Sequence, residues 1–229
     1  MNAGAVMEAG AITPVEPIAI EPDELPAAIG NVLQDGGRMQ MAYARHIGPG
    51  LVELRYLGSR GEQRDFFMWR CTAGGPVPSV APICPLLGWY EREIADLFGV
   101  EFRGHPQPDR LILQPGARPV VPPFSPDYPV DALLPFAPED TSLPEIDGSD
   151  VQRLPFGPVR ADVVESAQMI FLYVGEHILH FHPQLFFKHR GMEKRFEGRS
   201  LAHAVALAER VSGVGSFAHA LAFCQAVEQ

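Results

Sequence analysis

Proline placement is the feature of this 229-residue sequence that most limits how it folds, because the chain contains 23 prolines distributed very unevenly. Proline lacks the amide donor that a helix or an internal strand needs. The densest stretch runs from Pro106 to Pro158 and has little hydrophobic periodicity, so it predicts an extended surface linker. The prolines within the first 26 residues predict an extended arm. The remaining sequence should therefore fold on either side of this linker.

Hydrophobic periodicity predicts the elements that precede the linker. Apolar residues at helical spacing predict a helix from about Asp23 to Gln34. Three consecutive strands follow in RMQMAYARHI, LVELRYLG and DFFMWRC, with a turn at Gly48–Gly50. The segment GWYEREIADLFGV predicts a short amphipathic helix that ends at Gly99. Together these elements predict a small α/β domain.

Strands and then helices are predicted after the linker. The stretch ESAQMIFLYVGEHILHFHPQ predicts a β-hairpin, and Ser216 is expected to cap a final helix with a buried Cys224 on its apolar face. The predicted class is α+β. The parts are an extended arm at 1–22, the small α/β domain at 23–115, the proline-rich linker at 116–153, and a β-hairpin followed by helices at 154–229.

Composition excludes several classes of protein. The formal charge of -10 argues against nucleic-acid binding, which requires basic residues to neutralise phosphates. The three scattered cysteines are too few for a four-thiolate cluster and indicate a reducing, cytoplasmic compartment. The sequence shows no secretory signal and no apolar run of bilayer length, so we expect membrane association only through partners. No dinucleotide fingerprint or P-loop is present, and direct NADH binding is not predicted.

The string WYEREIADLFGVEFRGHP, followed by DRLIL at 109–113, resembles the signature of the C-type component of respiratory complex I and its counterpart in formate hydrogenlyase-type hydrogenases. The resemblance implies an α/β structural element packed against a large subunit. Four charged residues are then expected to be ion-paired packing residues at a subunit interface, rather than acid/base catalysts: Glu91, Arg92, Glu93 and Asp96. His105 is expected to be a turn residue at the same interface.

A second resemblance involves LPFGPVRADVVES, HRGMEKRFEGR and ERVSGVGSFAHALAFCQAVE. These segments look like the first part of the D-type component of complex I or of a group 4 nickel-iron hydrogenase large subunit. The order of a C-type domain before a D-type domain is that of fused complex I proteins. Residues predicted to grip an iron-sulfur subunit or to rim the large-subunit cavity are Arg190, Glu193, Lys194 and Arg199. The alternative is a solvated charged helix face.

Four positions depart from these family patterns. The first C-x-x-C pair of the hydrogenases, which supplies nickel-iron thiolates, falls at Ser212 and Gly215. The quinone-facing tyrosine of complex I falls at Gly213, and the histidine of its GPxHP loop falls at Arg160. A serine hydroxyl is a poor ligand for a soft metal, and arginine cannot replace the proton relay of neutral histidine. We therefore expect this chain to bind no nickel, no iron-sulfur cluster and no other cofactor.

The histidines raise a further alternative. His180 and His182 would share one face of a strand, near His177 and His189, but no Asp or Cys is spaced to complete a tetrahedral site. A metal site is not predicted there. An isolated zinc enzyme that uses these histidines remains a third, weaker hypothesis.

The first hypothesis is a subunit of a membrane-associated NADH dehydrogenase or energy-converting hydrogenase-like complex. It would lie peripherally at the cytoplasmic face of the inner membrane and dock iron-sulfur and membrane subunits, with the clusters on its partners. The chain alone would not be active in this proton-coupled electron transfer. The alternative is a redox-inactive, truncated scaffold or assembly paralogue without nickel or quinone chemistry. Both hypotheses predict dependence on partners, because the apolar face of the last helix would be partly exposed.

Overall fold

The computed structural model describes residues 15–61, 65–114, 116–129, 134–137, 143–159 and 166–228. It contains both sheets and helices, which confirms the predicted α+β class. The chain divides into two compact units. One spans Pro17–His189, and the other contains Arg190 and the residues that follow it.

A four-stranded sheet with the order β1-β4-β3-β2 forms the centre of the first unit. Its strands are β1 (Ile18–Ala19), β2 (Arg38–Gly48), β3 (Leu51–Arg60) and β4 (Asp65–Ala73). Strands β2, β3 and β4 form an antiparallel meander, and β1 pairs with β4 in parallel. Side chains alternate between the two faces, so Leu54 and Tyr56 of β3 point into the core and are completely buried.

Two helices contribute to the same core. A 3₁₀ turn at Pro22–Glu24 leads into α1 (Leu25–Gln34), and α2 spans Pro85–Phe98. Helix α2 begins earlier than the sequence predicted, because a proline is tolerated in the first turn, where the amide has no helical partner. It ends at Gly99, which has a left-handed φ of 75° and donates its N–H to the carbonyl of Ala95. Two short parallel strands, β5 (Val77–Pro78) and β6 (Phe102–Arg103), flank this helix in the sequence.

The first unit also contains a three-stranded antiparallel sheet of β7 (Gln152–Phe156), β8 (Gln168–Val174) and β9 (His177–Gln184). The sequence does not predict strand β7, and the predicted linker at 116–153 includes its first residues, because the proline density hides the strand pattern. Pro155 is compatible with this strand because β7 lies at the edge of the sheet, where a missing amide donor breaks no internal ladder.

The second unit consists of helices α3 (Met192–Phe196), α4 (Leu201–Ala208) and α5 (Ser216–Val227). The predicted cap at Ser216 is wrong, since Gly215 occupies the N-cap position and Ser216 is the first helical residue. Cys224 is only half-buried, and Phe217 on the same helix is 78% exposed. Across the described residues, the helices are too short or too polar for a bilayer crossing.

Candidate functional site

Helix α2 carries a buried carboxylate that organises the turn before the helix. Glu91 is completely buried. Its Oε2 accepts a hydrogen bond from the Ser79 hydroxyl at 2.5 Å, and its Oε1 accepts one from the Val80 N–H at 2.7 Å. Burial raises the pKa of Glu91, and the hydrogen bonds from Ser79 and Val80 act in the opposite direction. The carboxylate therefore holds residues 79 and 80 against α2.

A second carboxylate of α2 holds the DRLIL segment. One oxygen of Asp96, Oδ2, accepts hydrogen bonds from the N–H groups of Leu111, Ile112 and Leu113, at 2.8, 2.8 and 3.1 Å. Its other oxygen lies 3.9 Å from the Arg110 guanidinium. These bonds satisfy three consecutive backbone donors, which would otherwise be costly where they are buried. One side chain of α2 thus holds the DRLIL segment against the helix.

Arg92 adds further contacts between α2 and the same segment. Its Nε donates to the carbonyl of Asp109 at 2.8 Å, and its Nη2 donates to the carbonyl of Arg110 at 3.0 Å. The guanidinium carbon also lies 5.8 Å from the ring centroid of Trp89, within the range of a cation–π contact. Arg92 therefore fixes the same loop as Asp96, from the surface side.

His105 joins the loop after β6 to the start of α2. Its Nδ1 accepts the N–H of Gln107 at 3.0 Å, which assigns the ring proton to Nε2 when the imidazole is neutral. Nε2 then donates to the carbonyl of Gly88 at 3.1 Å and lies 3.7 Å from Glu91 Oε2. A Cβ at position 88 would lie 2.9 Å from the Cβ of Ala81, so this close approach requires glycine. We name Glu91, Arg92, Asp96 and His105 the α2 brace.

The α2 brace gives partners to the packing role that the sequence predicts for these residues. Glu91 accepts hydrogen bonds from a hydroxyl and an amide, and it also lies 3.7 Å from His105, which forms an ion pair with it only when the imidazole is protonated. Glu91 and Asp96 are both buried within their own chain, and their side chains are not available to a partner. Arg92 and Glu93 are half-buried, and their role at a subunit interface remains a prediction.

The charged residues predicted on the second unit lie largely at the surface. We define residues 190–199 as the charged segment. Within it, Lys194 pairs with Glu197 at 2.8 Å, and Glu193 is exposed on α3. Arg199 donates to the carbonyl of Arg195 at 3.3 Å. These are local contacts of exposed side chains, so the segment keeps a surface that a partner could bind.

Arg190 links the charged segment to the loop that departs from the hydrogenase pattern. Its Nη2 donates to the carbonyl of Val211 at 2.7 Å, immediately before Ser212. The Ser212 hydroxyl accepts the N–H of Gly215 at 3.4 Å. A Cβ added at Gly213 would have no other heavy atom within 4 Å. The structure therefore brings Arg190 to this loop, which holds a hydroxyl and two glycines where the family patterns place thiolates and a tyrosine.

Among the residues that the structure describes, no group of three or more His, Cys, Asp or Glu side chains is arranged to hold a metal ion. The rings of His180 and His182 do lie on one face of β9, with centroids 6.2 Å apart. Arg160 lies outside the described residues.

A cluster on the central sheet was not found by sequence reasoning. Glu53 on β3 is contacted by arginines from three adjacent strands: Arg45, Arg55 and Arg70. Burial raises the pKa of Glu53, but hydrogen bonds and charge from Arg45 and Arg55 outweigh burial and lower it overall. The signal in the sequence was the alternation of charged residues along the predicted strands, which is visible only once their register is known.

Residues 49–133 match the model of the family described as respiratory-chain NADH dehydrogenase, 30 Kd subunit. This range contains β3, β4, α2 and the whole α2 brace. The predicted resemblance to a complex I C-type domain is thus supported over this part of the first unit.

Similarity to curated proteins extends over more of the chain. The NADH-quinone oxidoreductase C/D protein of Methylococcus capsulatus is 29% identical, over 67% of this chain and 29% of the relative. The corresponding C/D protein of Rhodopseudomonas palustris strain BisA53 is 30% identical, over 79% of this chain and 34% of the relative. Hydrogenase-4 component G of Escherichia coli is 35% identical, over 66% of this chain and 28% of the relative. The chain therefore spans about a third or less of the length of these relatives.

Proposed function

We propose that this chain is a docking subunit of a membrane-associated electron-transfer complex of the NADH dehydrogenase or energy-converting hydrogenase type. The observation that carries this proposal is the family match at residues 49–133. The α2 brace gives it a physical basis, because the charged residues of α2 are used to fix loops rather than to form a catalytic group. The relatives with this similarity are named as subunits or components of such oxidoreductases.

In this proposal the two units have different tasks. The first unit is a C-type domain that supplies a rigid docking surface. The second unit is the beginning of a D-type or hydrogenase-like domain, and its charged segment contacts the iron-sulfur subunit. Partner subunits hold the clusters and attach the assembly to the cytoplasmic face of the inner membrane. Proton-coupled electron transfer is then a property of the assembly.

A second candidate function is a scaffold without redox chemistry, which is favoured by the residue types at positions 212, 213 and 215. Serine and glycine supply neither the thiolates of a nickel site nor the phenol that faces a quinone. We expect elemental analysis of the untagged protein to find no nickel and no iron. Stoichiometric nickel would contradict the inference from Ser212 and Gly215.

The proposed function is tested by affinity purification of the full chain, tagged at its natural locus, from detergent-solubilised membranes. We expect an iron-sulfur subunit and integral membrane subunits to copurify in a constant ratio. Recovery of the chain alone would contradict the proposal. Electron paramagnetic resonance of the recovered complex then separates the two candidates, since reducible clusters and oxidoreductase activity support the first, and a complex without either supports the scaffold.

A further inference from the structure

The outer face of the central sheet, opposite the core, carries a concentration of positive charge. We define the arginine cluster as Arg45 on β2, Arg55 on β3 and Arg70 on β4, around Glu53 on β3. The Nε atoms of Arg45 and Arg55 lie 2.8 and 2.7 Å from Glu53 Oε1, and Nη1 of Arg70 lies 3.6 Å from Oε2. Three strands thus direct guanidinium groups toward one carboxylate.

The cluster contains more positive charge than its carboxylate can balance. Three guanidiniums face one carboxylate, which leaves two positive charges in excess on a chain with a formal net charge of -10. The Glu53 side chain is only 4% exposed, whereas those of Arg45 and Arg70 are 56% and 49% exposed. A guanidinium has five donors, so both outer arginines retain donors that face solvent.

Apolar and aromatic side chains surround the arginine cluster on the same face. The Arg55 guanidinium donates to the Tyr43 hydroxyl at 3.4 Å, and that hydroxyl contacts the Met68 sulfur at 3.5 Å. Large apolar side chains on this face are partly exposed: Met41, Leu51 and Phe66. Arginine together with tyrosine, methionine and phenylalanine is the composition that is enriched at the centres of protein interfaces.

We propose that the arginine cluster and its apolar surroundings bind a segment of a partner protein that carries carboxylates between apolar side chains. The inference deepens the proposed function, on which it rests for the complex that supplies the partner. The two excess positive charges select an acidic segment. A protein segment fits better than a polyphosphate or an anionic membrane, because the acidic chain repels an extended anionic surface. Each carboxylate of a partner segment that lies within about 8 Å of the arginines responds mainly to the cluster, since more distant charges are screened.

The convergence of the two outer arginines on Glu53 sets the spacing of the partner's carboxylates. Arg45 pairs with Glu53, and Arg70 pairs with Arg55, two residues farther along β3. Two strand spacings and two residues along the strand place their backbones about 12 Å apart, but both side chains reach Glu53, so their guanidinium groups lie within about 9 Å of each other. An extended segment advances about 3.3 Å per residue and alternate side chains share a face, so carboxylates about two positions apart match both guanidinium groups.

The test is fluorescence anisotropy with the full chain and a labelled peptide that has two glutamates about two positions apart, flanked by leucine and phenylalanine. We expect the wild-type chain to bind it, and the R45Q/R70Q variant to bind at least about ten-fold more weakly. The R38Q/R153Q variant, which removes two exposed arginines outside the cluster, should bind like the wild type. A matched peptide with glutamines in place of the glutamates should not bind.

Equal binding of the two peptides, or equal binding by the two double variants, would overturn the inference. Cluster-dependent binding to phosphatidylglycerol vesicles without peptide binding would overturn it in favour of a lipid surface. A dimer that light scattering detects in the wild type but not in R45Q/R70Q would overturn it in favour of a second copy. If the double variant does not fold, R70Q alone serves, since it leaves the two shorter contacts to Glu53 intact.

The same measurements distinguish this inference from the proposed function. Peptide binding requires only the purified chain, so peptide binding without copurifying subunits contradicts the proposed complex alone. Copurification of an intact complex without peptide binding contradicts the inference alone.

Discussion

Helix α2 and the charged segment are both dense in acidic and basic residues, yet the structure uses them in different ways. On α2, Glu91 and Asp96 are buried and accept hydrogen bonds from distant parts of the chain. In the charged segment, Glu193 and Arg199 are exposed, and Lys194 contacts a neighbour only three positions away. Charge density in a sequence therefore does not distinguish an internal brace from a docking surface. The two are distinguished by the burial of the charged side chains and by how far along the sequence their partners lie.

Truncating one carboxylate in each region should produce the largest difference between them. We expect Glu91→Ala to lower the free energy of unfolding of the first unit by about 3 kcal/mol, because it leaves the Ser79 hydroxyl and the Val80 N–H buried without their acceptor. Glu193→Ala, the matched change at an exposed site, should cost less than about 0.5 kcal/mol. Urea denaturation measures both values, and equal costs would remove the distinction.

Asp96 offers a sharper test, since its partners are three consecutive amides. We expect Asp96→Ala to cost about 2 kcal/mol, less than the change at Glu91, because the freed amides of the 111–113 segment can reach water if the loop moves. Hydrogen exchange followed by mass spectrometry should show faster exchange at residues 111–113. Unchanged exchange there would show that Asp96 does not hold the loop.

The pH dependence of stability should differ between two buried carboxylates, Glu91 and Glu53, because their pKa values are shifted in opposite directions. The raised pKa of Glu91 means that the folded chain holds this proton more tightly than the unfolded chain. The contribution of Glu91 to stability is therefore full below pH 4.5, and it decreases as the pH rises through the raised pKa of the folded chain. The lowered pKa of Glu53 gives a contribution that is full above 4.5 and is lost as pH falls through the lowered value.

Glu91→Gln and Glu53→Gln should each remove one pH dependence of the free energy of unfolding, and the two dependences should have opposite directions. Denaturation of both variants at a series of pH values measures this. We expect each of these dependences to change the free energy of unfolding by less than the truncation of Glu91 does. Changes in slope of the same sign in both variants, relative to the wild type, would contradict the opposite directions of the two pKa shifts.

Arg190 should give the smallest effect on stability. Its hydrogen bond to the Val211 carbonyl is exposed, so we expect Arg190→Ala to cost about 0.5 kcal/mol. Exchange at residues 211–215 should nevertheless increase, while Arg199→Ala, a matched change in the same segment, should leave that loop unaffected. An equal increase in both variants would mean that Arg190 does not hold the loop.

The sequence predicted the parts of the fold that have a strong local signal. Periodicity identified α1, the meander of β2 to β4, and the end of α2 at Gly99. It missed β7, because pairing with β8 overrides the local preference of a proline-containing segment. The packing role of Glu91 and Asp96 was anticipated, but their partners were not. Those partners lie 11 to 17 positions away and depend on the tertiary fold.

The charged segment, unlike the α2 brace, is proposed to face a partner. The most direct measurement is quantitative mass spectrometry of proteins that copurify with the tagged chain from membranes, in the wild type and in E193R/K194E, which reverses two charges of α3. We predict loss of most of the iron-sulfur subunit from this variant, while R153E, a charge reversal on β7, retains it. Equal recovery of the iron-sulfur subunit in all three proteins, or in none, would contradict the claim.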